Sequence, residues 1–208
     1  MTKKTVLYKG AEAEIQLSDY MGSKVIEKRR IKKTYRINII DERLISFRTK
    51  EEAKLMTEAR LYGVSVPIIY DVDLKKGVIT MEYIKGNRIK DILNDLTEKE
   101  RKRICLIIGE SIAKFHNNDI IHGDITTSNM ILFNDRIHFI DFGLGEKSSE
   151  IETKGVDLHV LMEAIESTHS RYSKCFDYVI DGYKKGLRGN PDLVIKKIEE
   201  IVKRGRYR

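Results

Sequence analysis

With 208 residues the chain has room for one large domain or two small lobes, and with 41% hydrophobic residues it can bury a core, which excludes wholesale disorder. No run of about eighteen apolar residues is present to span a membrane, and Cys105 and Cys175 are too few for a disulfide framework, so the expected state is a cytoplasmic protein with both thiols reduced in the core. A formal net charge of +7 and a pI near 9.2 favour phosphate-bearing partners such as nucleotide or RNA, although 34% charged residues and only two prolines also describe a solvated Lys/Glu-rich surface of the kind common in heat-adapted proteins.

The N-terminal residues Met1 to Thr5 lead into a short apolar stretch broken by Lys9 and Glu12, which is not a signal peptide. Val6-Leu7-Tyr8 and Ile15-Gln16-Leu17 read as strands around the turn Gly10-Ala11-Glu12-Ala13, and Lys24 to Lys28 as a third strand that opens a basic run to Arg36. Helical periodicity covers Arg48 to Tyr62, with Gly63 as C-cap, and strands follow at Ile68 to Val72 and Val78 to Tyr83. Gly86 is a natural boundary, which divides the chain into an N-lobe (1–84) and a C-lobe (85–208). Beyond it, Thr97 to Glu100 is a capping box opening a helix with Ile104, Ile108, Ile112 and Phe115 on one face. Ile131-Leu132-Phe133 and Ile137 to Ile140 form a hairpin at Asn134-Asp135. Helices are expected over Val156 to Thr168, over Tyr172 to Lys185, and from Pro191 with Asn190 as N-cap. Strands with one helix, then helices with one hairpin, is the order of an α+β, minimal two-lobed protein-kinase-like fold.

The strongest chemical signal is His122-Gly123-Asp124-Ile125-Thr126-Thr127-Ser128-Asn129, followed by Asp141-Phe142-Gly143 at the end of a strand. Phosphoryl transfer needs one carboxylate to orient a hydroxyl and accept its proton, and an amide oxygen with a second carboxylate to hold a divalent ion against the phosphates. Asp124 is therefore the candidate base, and Asn129 and Asp141 the candidate Mg²⁺ ligands, with Mn²⁺ an acceptable substitute. Lys28 is the candidate phosphate-binding ammonium of ATP, although Lys24, Lys32 and Lys33 crowd the same stretch. Its expected carboxylate partner is Glu52; Glu51 and Glu58 compete, and Thr49-x-x-Glu52 is also a capping-box pattern. Gly10, Ala11, Glu12 and Ala13 occupy the place of a glycine-rich phosphate loop, with a single glycine and an acid that should loosen phosphate capture. Met81, Glu82 and Ile84 stand where backbone groups of such a fold meet adenine. Asp157 braces the catalytic loop or serves as a helix-start acid. No Ala-Pro-Glu follows Asp141-Phe142-Gly143, and only the stretch to Gly155 precedes the next helix, which argues against ordinary peptide docking. The basic end, Arg204, Arg206, Tyr207 and Arg208, suits RNA phosphates and one stacked base, or is a solvated tail.

These residues resemble one family along nearly the whole chain: the small atypical serine/threonine kinase of the KEOPS complex, related to the RIO kinases, in its compact archaeal form. The resemblance rests on the one-glycine loop Gly10 to Ala13, on Lys28 followed by a basic stretch ending Tyr35-Arg36, and on Arg48-Thr49-x-x-Glu52-Ala53. It continues through His122 to Asn129, Asp141-Phe142-Gly143-Leu144-Gly145, Gly155-Val156-Asp157-Leu158, Glu166-Ser167-Thr168-His169 and the basic tail. Lys32 departs from it, standing where the pattern often has proline. The resemblance implies an ATP-dependent serine/threonine kinase with ATPase activity and serine autophosphorylation. Its implied partners are the KEOPS threonylcarbamoyl-transferase subunit and a further small KEOPS subunit, with tRNA engaged through the complex and the tail. The implied role is support of threonylcarbamoyladenosine formation beside the anticodon. Some archaeal members are fused to their partner; this chain is expected to be free-standing. The rival readings are a small-molecule phosphotransferase of the aminoglycoside or choline type, which also uses His-Gly-Asp with a later Asn but a larger helical lobe, and a non-catalytic scaffold.

Overall fold

The computed structural model describes residues 5–172 and 174–205, in two compact units. Among the described residues, the first comprises those up to 58 and 67–85, the second 59–66 and those from 86 on.

In the first unit, β1 (Thr5–Lys9), β2 (Ala13–Tyr20), β3 (Ser23–Arg30), β4 (Ile69–Asp73) and β5 (Val78–Glu82) form an antiparallel sheet in the order β1-β2-β3-β5-β4. The sheet is crossed by α1 (Asn38–Leu61), which begins ten residues before the sequence pattern predicts. The reason is its outer face: Ile39, Ile40 and Phe47 are exposed, so its first half lacks the polar stripe that marks a surface helix. Asp41 in its first turn accepts from Lys33 N (3.1 Å) and Arg36 Nη1 (3.2 Å), anchoring the helix start to the chain that leads into it. Thr49 consequently lies within the helix, its hydroxyl donating to Ile45 O at 2.7 Å, and it is not a cap for Glu52. Gly77 (φ +62) turns β4 into β5, and a Cβ there would lie 2.3 Å from Ile45 Cγ2, so α1 and this turn meet only at glycine.

The second unit continues with β6 (Asn87–Arg88), α2 (Ile89–Ile92), α3 (Glu98–His116), β7 (Ile120–Ile121), β8 (Met130–Phe133), β9 (Arg136–Phe139), β10 (Glu146–Lys147), α4 (Ile151–Thr168), α5 (Lys174–Gly186) and α6 (Pro191–Gly205). The capping box at Thr97 and Glu100 forms, and Ile104, Ile108, Ile112 and Phe115 are buried along α3. Asn134 and Asp135 both have positive φ, as a tight β8–β9 hairpin requires. The helix expected from Val156 starts at Ile151, shortening the stretch after Asp141 further, and Gly155 lies inside it, where Lys197 of α6 packs within 2.8 Å of its virtual Cβ. Cys105 and Cys175 are free and buried. Among the described residues no helix is long and apolar enough to cross a membrane.

Helices α3 and α5 touch backbone to backbone. A Cβ on Gly109 would sit 1.9 Å from Val179 O, and one on Gly182 2.1 Å from Leu106 O. Above this crossing lies a buried polar chain. Tyr183 Oη meets His116 Nδ1 at 2.9 Å, and His116 Nε2 meets Asp157 Oδ2 at 3.3 Å. Asp157 also accepts from His122 N (3.0 Å) and Gly123 N (2.9 Å). Burial alone would push the Asp157 carboxyl up; the hydrogen bond and charge of His116, with His122 and its backbone amide, outweigh it and hold the group below its ordinary value. Burial holds His122 below its ordinary value as well, against the pull of Asp157, Asp141 and Asp124.

Two expectations follow. Gly109→Ala must drive the two helices apart, costing about 2 kcal/mol, so its melting temperature should fall by roughly 4–8 °C; an unchanged melting curve would show that the crossing has slack. Because the folded state keeps His122 neutral below the ordinary value of 6.5, the unfolded chain binds more protons there, and stability declines as pH falls through and below that value. The Asp157 contribution is present above 3.8 and is lost as pH falls below it. Urea midpoints between pH 7 and 5 should drop, with the His122 ring still neutral by NMR at pH 6; a flat midpoint or a charged ring would contradict this.

Candidate active site

The turn from β7 into the loop from His122 to Asn129 is set by Gly123 (φ +80), where a Cβ would lie 2.2 Å from Leu144 O. Only glycine admits that approach. Asp124 N donates to His122 Nδ1 (3.4 Å), and His122 Nε2 lies 3.1 Å from Ile140 O, which fixes the neutral ring with its proton on Nε2. Asn129 then spans the loop: its Nδ2 donates to both the carbonyl and the Oδ2 of Asp124, each at 2.9 Å. The amide nitrogen is thereby committed to Asp124, which leaves Asn129 Oδ1 as the acceptor on the other side of the group. Thr127 Oγ1 meets His169 Nε2 at 3.1 Å, and His169 Nδ1 meets Asn94 Oδ1 at 2.7 Å, so the middle of the loop is pinned from the end of α4.

Asp141 is brought beside this loop by the β8–β9 hairpin. Met130 pairs with Phe139, and Ile140 N donates to Asn129 O at 2.9 Å. Asp141 itself adopts φ +64, a left-handed conformation that costs a non-glycine residue roughly 1–2 kcal/mol, and its Oδ1 accepts from Gly143 N at 3.2 Å. Phe142 holds the turn down, buried with its ring 4.5 Å from His122 and 5.6 Å from Phe115. Asp124, Asn129 and Asp141 therefore converge through two backbone connections. An amide oxygen and a carboxylate are hard oxygen donors of the kind that would suit Mg²⁺. Among the described residues no group of three His, Cys, Asp or Glu side chains gathers as a self-sufficient metal cage.

In the first unit Lys28 Nζ and Glu52 Oε1 meet at 2.6 Å, both buried. The other oxygen of Glu52 takes Arg30 Nη2, also at 2.6 Å. Arg30 was hidden among the cations of the basic run, and strand alternation was the one signal for it, since Lys28 and Arg30 share a face of β3. Gly10 N closes its turn on Ala13 O at 3.0 Å, and Ile31 N donates to Glu12 O at 3.1 Å. The Glu12 carboxylate is not loose: Arg48 (3.3 Å) and Lys33 (3.4 Å) hold it, so Ala11 and its neighbours sit beside a compensated acid. Met81 and Ile84 are buried. Glu82 N donates to Ile68 O at 2.8 Å. Arg204 of the basic end pairs with Glu152 at 2.9 Å; Arg206, Tyr207 and Arg208 lie outside the described residues.

With this geometry in hand, the chain can be set beside known proteins. A model of the RIO domain matches residues 6–149. The chain is 45% identical to the KEOPS complex subunit Bud32 of Pyrococcus abyssi, across 98% of this chain and 96% of that one. It is also 45% identical to a probable bifunctional tRNA threonylcarbamoyladenosine biosynthesis protein of Methanobrevibacter smithii, spanning 97% of this chain but 36% of the relative. Among solved structures it is similar to the ADP-bound aminoglycoside phosphotransferase APH(2'')-Ib, with a TM-score of 0.67, 16% identity, and 95% of this chain and 81% of that one covered. That likeness carries the fold alone and makes it kinase-like. Matched over most of its length and related end to end to a full-length homologue, the chain belongs to the RIO-domain family, in the group of the KEOPS complex subunit Bud32.

Proposed function

We propose that the protein is an ATP-dependent serine/threonine kinase with ATPase activity that works in the cytoplasm as a KEOPS subunit. It supports threonylcarbamoyladenosine formation on tRNA by acting on the transferase subunit, and it autophosphorylates on serine. The observation that carries the catalytic part is the bond from Asn129 Nδ2 to Asp124 Oδ2, made while Ile140 N ties Asn129 to the strand that delivers Asp141.

In this reading Asp124 is the base. One of its oxygens is held by Asn129; the other orients the acceptor hydroxyl and takes its proton. Asn129 Oδ1 and the Asp141 carboxylate hold Mg²⁺, which when bound neutralises charge on the phosphates. Lys28, oriented by Glu52, binds the α- and β-phosphates, and the backbone of Gly10 to Ala13 covers them. The Glu82 carbonyl and the Ile84 amide receive adenine, next to the buried Met81. The transferase subunit, a further small KEOPS subunit and tRNA are the partners, with Arg204, Arg206, Tyr207 and Arg208 reaching tRNA phosphates. Kinship to a KEOPS subunit at 45% identity supports these partners over small alcohols.

Asp124→Ala should lower ATP turnover by roughly 10²–10⁴-fold, about 3–5 kcal/mol of barrier, with nucleotide affinity nearly kept. Asp141→Asn should instead weaken Mg²⁺-dependent nucleotide binding. ATPase assays with the transferase partner and tRNA, against assays with aminoglycosides or choline, test the substrate. Stimulation by the partner and tRNA is expected. Equal turnover in wild type and Asp124→Ala, or stimulation by a small alcohol alone, would overturn the reading.

A further inference from the structure

The two free thiols of the second unit are placed together. Helices α3 and α5 run in the same direction, with the Tyr172 ring against Arg101 at one end and Gly186 against Ala113 at the other. Between these ends their backbones meet, where a Cβ on Gly109 would strike Val179 O. Cys105 and Cys175 lie one helical turn before that contact, each on its own helix, so the parallel crossing sets them face to face. Both are buried, and the Cys105 thiol is hydrogen-bonded to Cys175.

Arg101 is the informative neighbour. It is buried one turn before Cys105, and its guanidinium lies 3.5 Å from the centre of the Tyr172 ring. Its polar partners are the carbonyls of Leu93 (2.9 Å) and Asn94 (3.5 Å), and among the described residues it has no carboxylate partner. A buried cation without a carboxylate favours any neighbour able to become an anion. The hydrogen bond from Cys105 and then the Arg101 charge hold the Cys175 thiol below its ordinary value against burial, while that same bond and burial push Cys105 up. Cys175 is also the second residue of α5, where the helix dipole favours a thiolate. One acidified thiol facing a protonated one is the pairing of an attacking and a resolving cysteine.

We propose that Cys105 and Cys175 form an oxidation site, which a peroxide converts to an intramolecular disulfide that staples α3 to α5. The peroxide enters by way of Cys175, in the first turn of α5, since a helix end opens at less cost than its middle. The Cys175 thiolate attacks one oxygen of hydrogen peroxide, the O–O bond breaks, hydroxide leaves, and Cys175 becomes a sulfenic acid. The Cys105 sulfur then displaces the hydroxyl group of that acid, which departs as water with the Cys105 proton. The thiol pair gives up two electrons and two protons, and the peroxide ends as two waters. A thiol reductant restores the pair by exchange. Tyr183 reaches His116 from the same helix, at 2.9 Å, so the staple fixes the element that carries the polar relay to Asp157. The site does not depend on the nucleotide reading.

The test treats the intact protein with hydrogen peroxide, alkylates the remaining thiols under denaturing conditions, and reads the mass before and after dithiothreitol. The expected product is a monomer lighter by two hydrogens and free of alkyl groups, in which the Cys105 and Cys175 peptides are linked and from which dithiothreitol recovers both thiols. Its melting temperature should exceed that of the reduced form by roughly 5–10 °C. Cys105→Ala should stop at the sulfenic acid, which dimedone traps on Cys175, whereas Cys175→Ala should give no dimedone adduct. Thiols that stay alkylatable after peroxide, a disulfide between two molecules, or an oxidised monomer that melts no higher would overturn the proposal, as would dimedone trapped on Cys105 in the Cys175→Ala variant.

Discussion

One buried carboxylate holds the second unit in working order. Asp157 receives the backbone N–H groups of His122 and Gly123, and a ring nitrogen of His116. A charge at 1% exposure is tolerable only when its lone pairs are filled, so the loop has no cheap way to leave it. With His122 and Gly123 fixed, Asp124 follows in the chain, and its carbonyl and carboxylate then fix Asn129. The geometry of the candidate site is thus inherited from a residue that touches none of the chemistry.

The same logic explains the unusual company Asp157 keeps. His116 presents one nitrogen to Asp157 and the other to Tyr183, whose hydroxyl burial pushes up and keeps protonated. That hydroxyl sits on α5, whose backbone is pressed against α3 at Gly109 and Gly182. Helix packing, a buried polar relay and the loop from His122 to Asn129 form one continuous chain of contacts, and a fault in any link should be felt at Asp124.

The layout of the candidate site was legible in the sequence because it is local. Asp124 and Asn129 lie in one loop, and Asp141 is a hairpin away, so spacing alone brings them near. The bracing was only half legible. Asp157 could be read as a helix-start acid until α4 proved to begin at Ile151 and to bury it. Tyr183 lies 67 residues from His116, and no periodicity reports such a pairing. The start of α1 was obscured by Ile39, Ile40 and Phe47, apolar residues on an exposed face that blur the helical pattern. The share of Arg30 in Glu52 was lost in a run of cations that composition cannot tell apart. Propensity and spacing describe what neighbours do; which distant groups must satisfy one another is settled by burial.

The central claim is that Asp124, Asn129 and Asp141 surround one divalent ion in the presence of nucleotide. It is tested most directly by replacing Mg²⁺ with Mn²⁺ beside a non-hydrolysable ATP analogue and mapping paramagnetic broadening of the backbone amides. The account predicts broadening centred on Asn129 and Asp141, reaching Asp124, and dependent on the nucleotide. Broadening centred elsewhere, or none when nucleotide is bound, would contradict it.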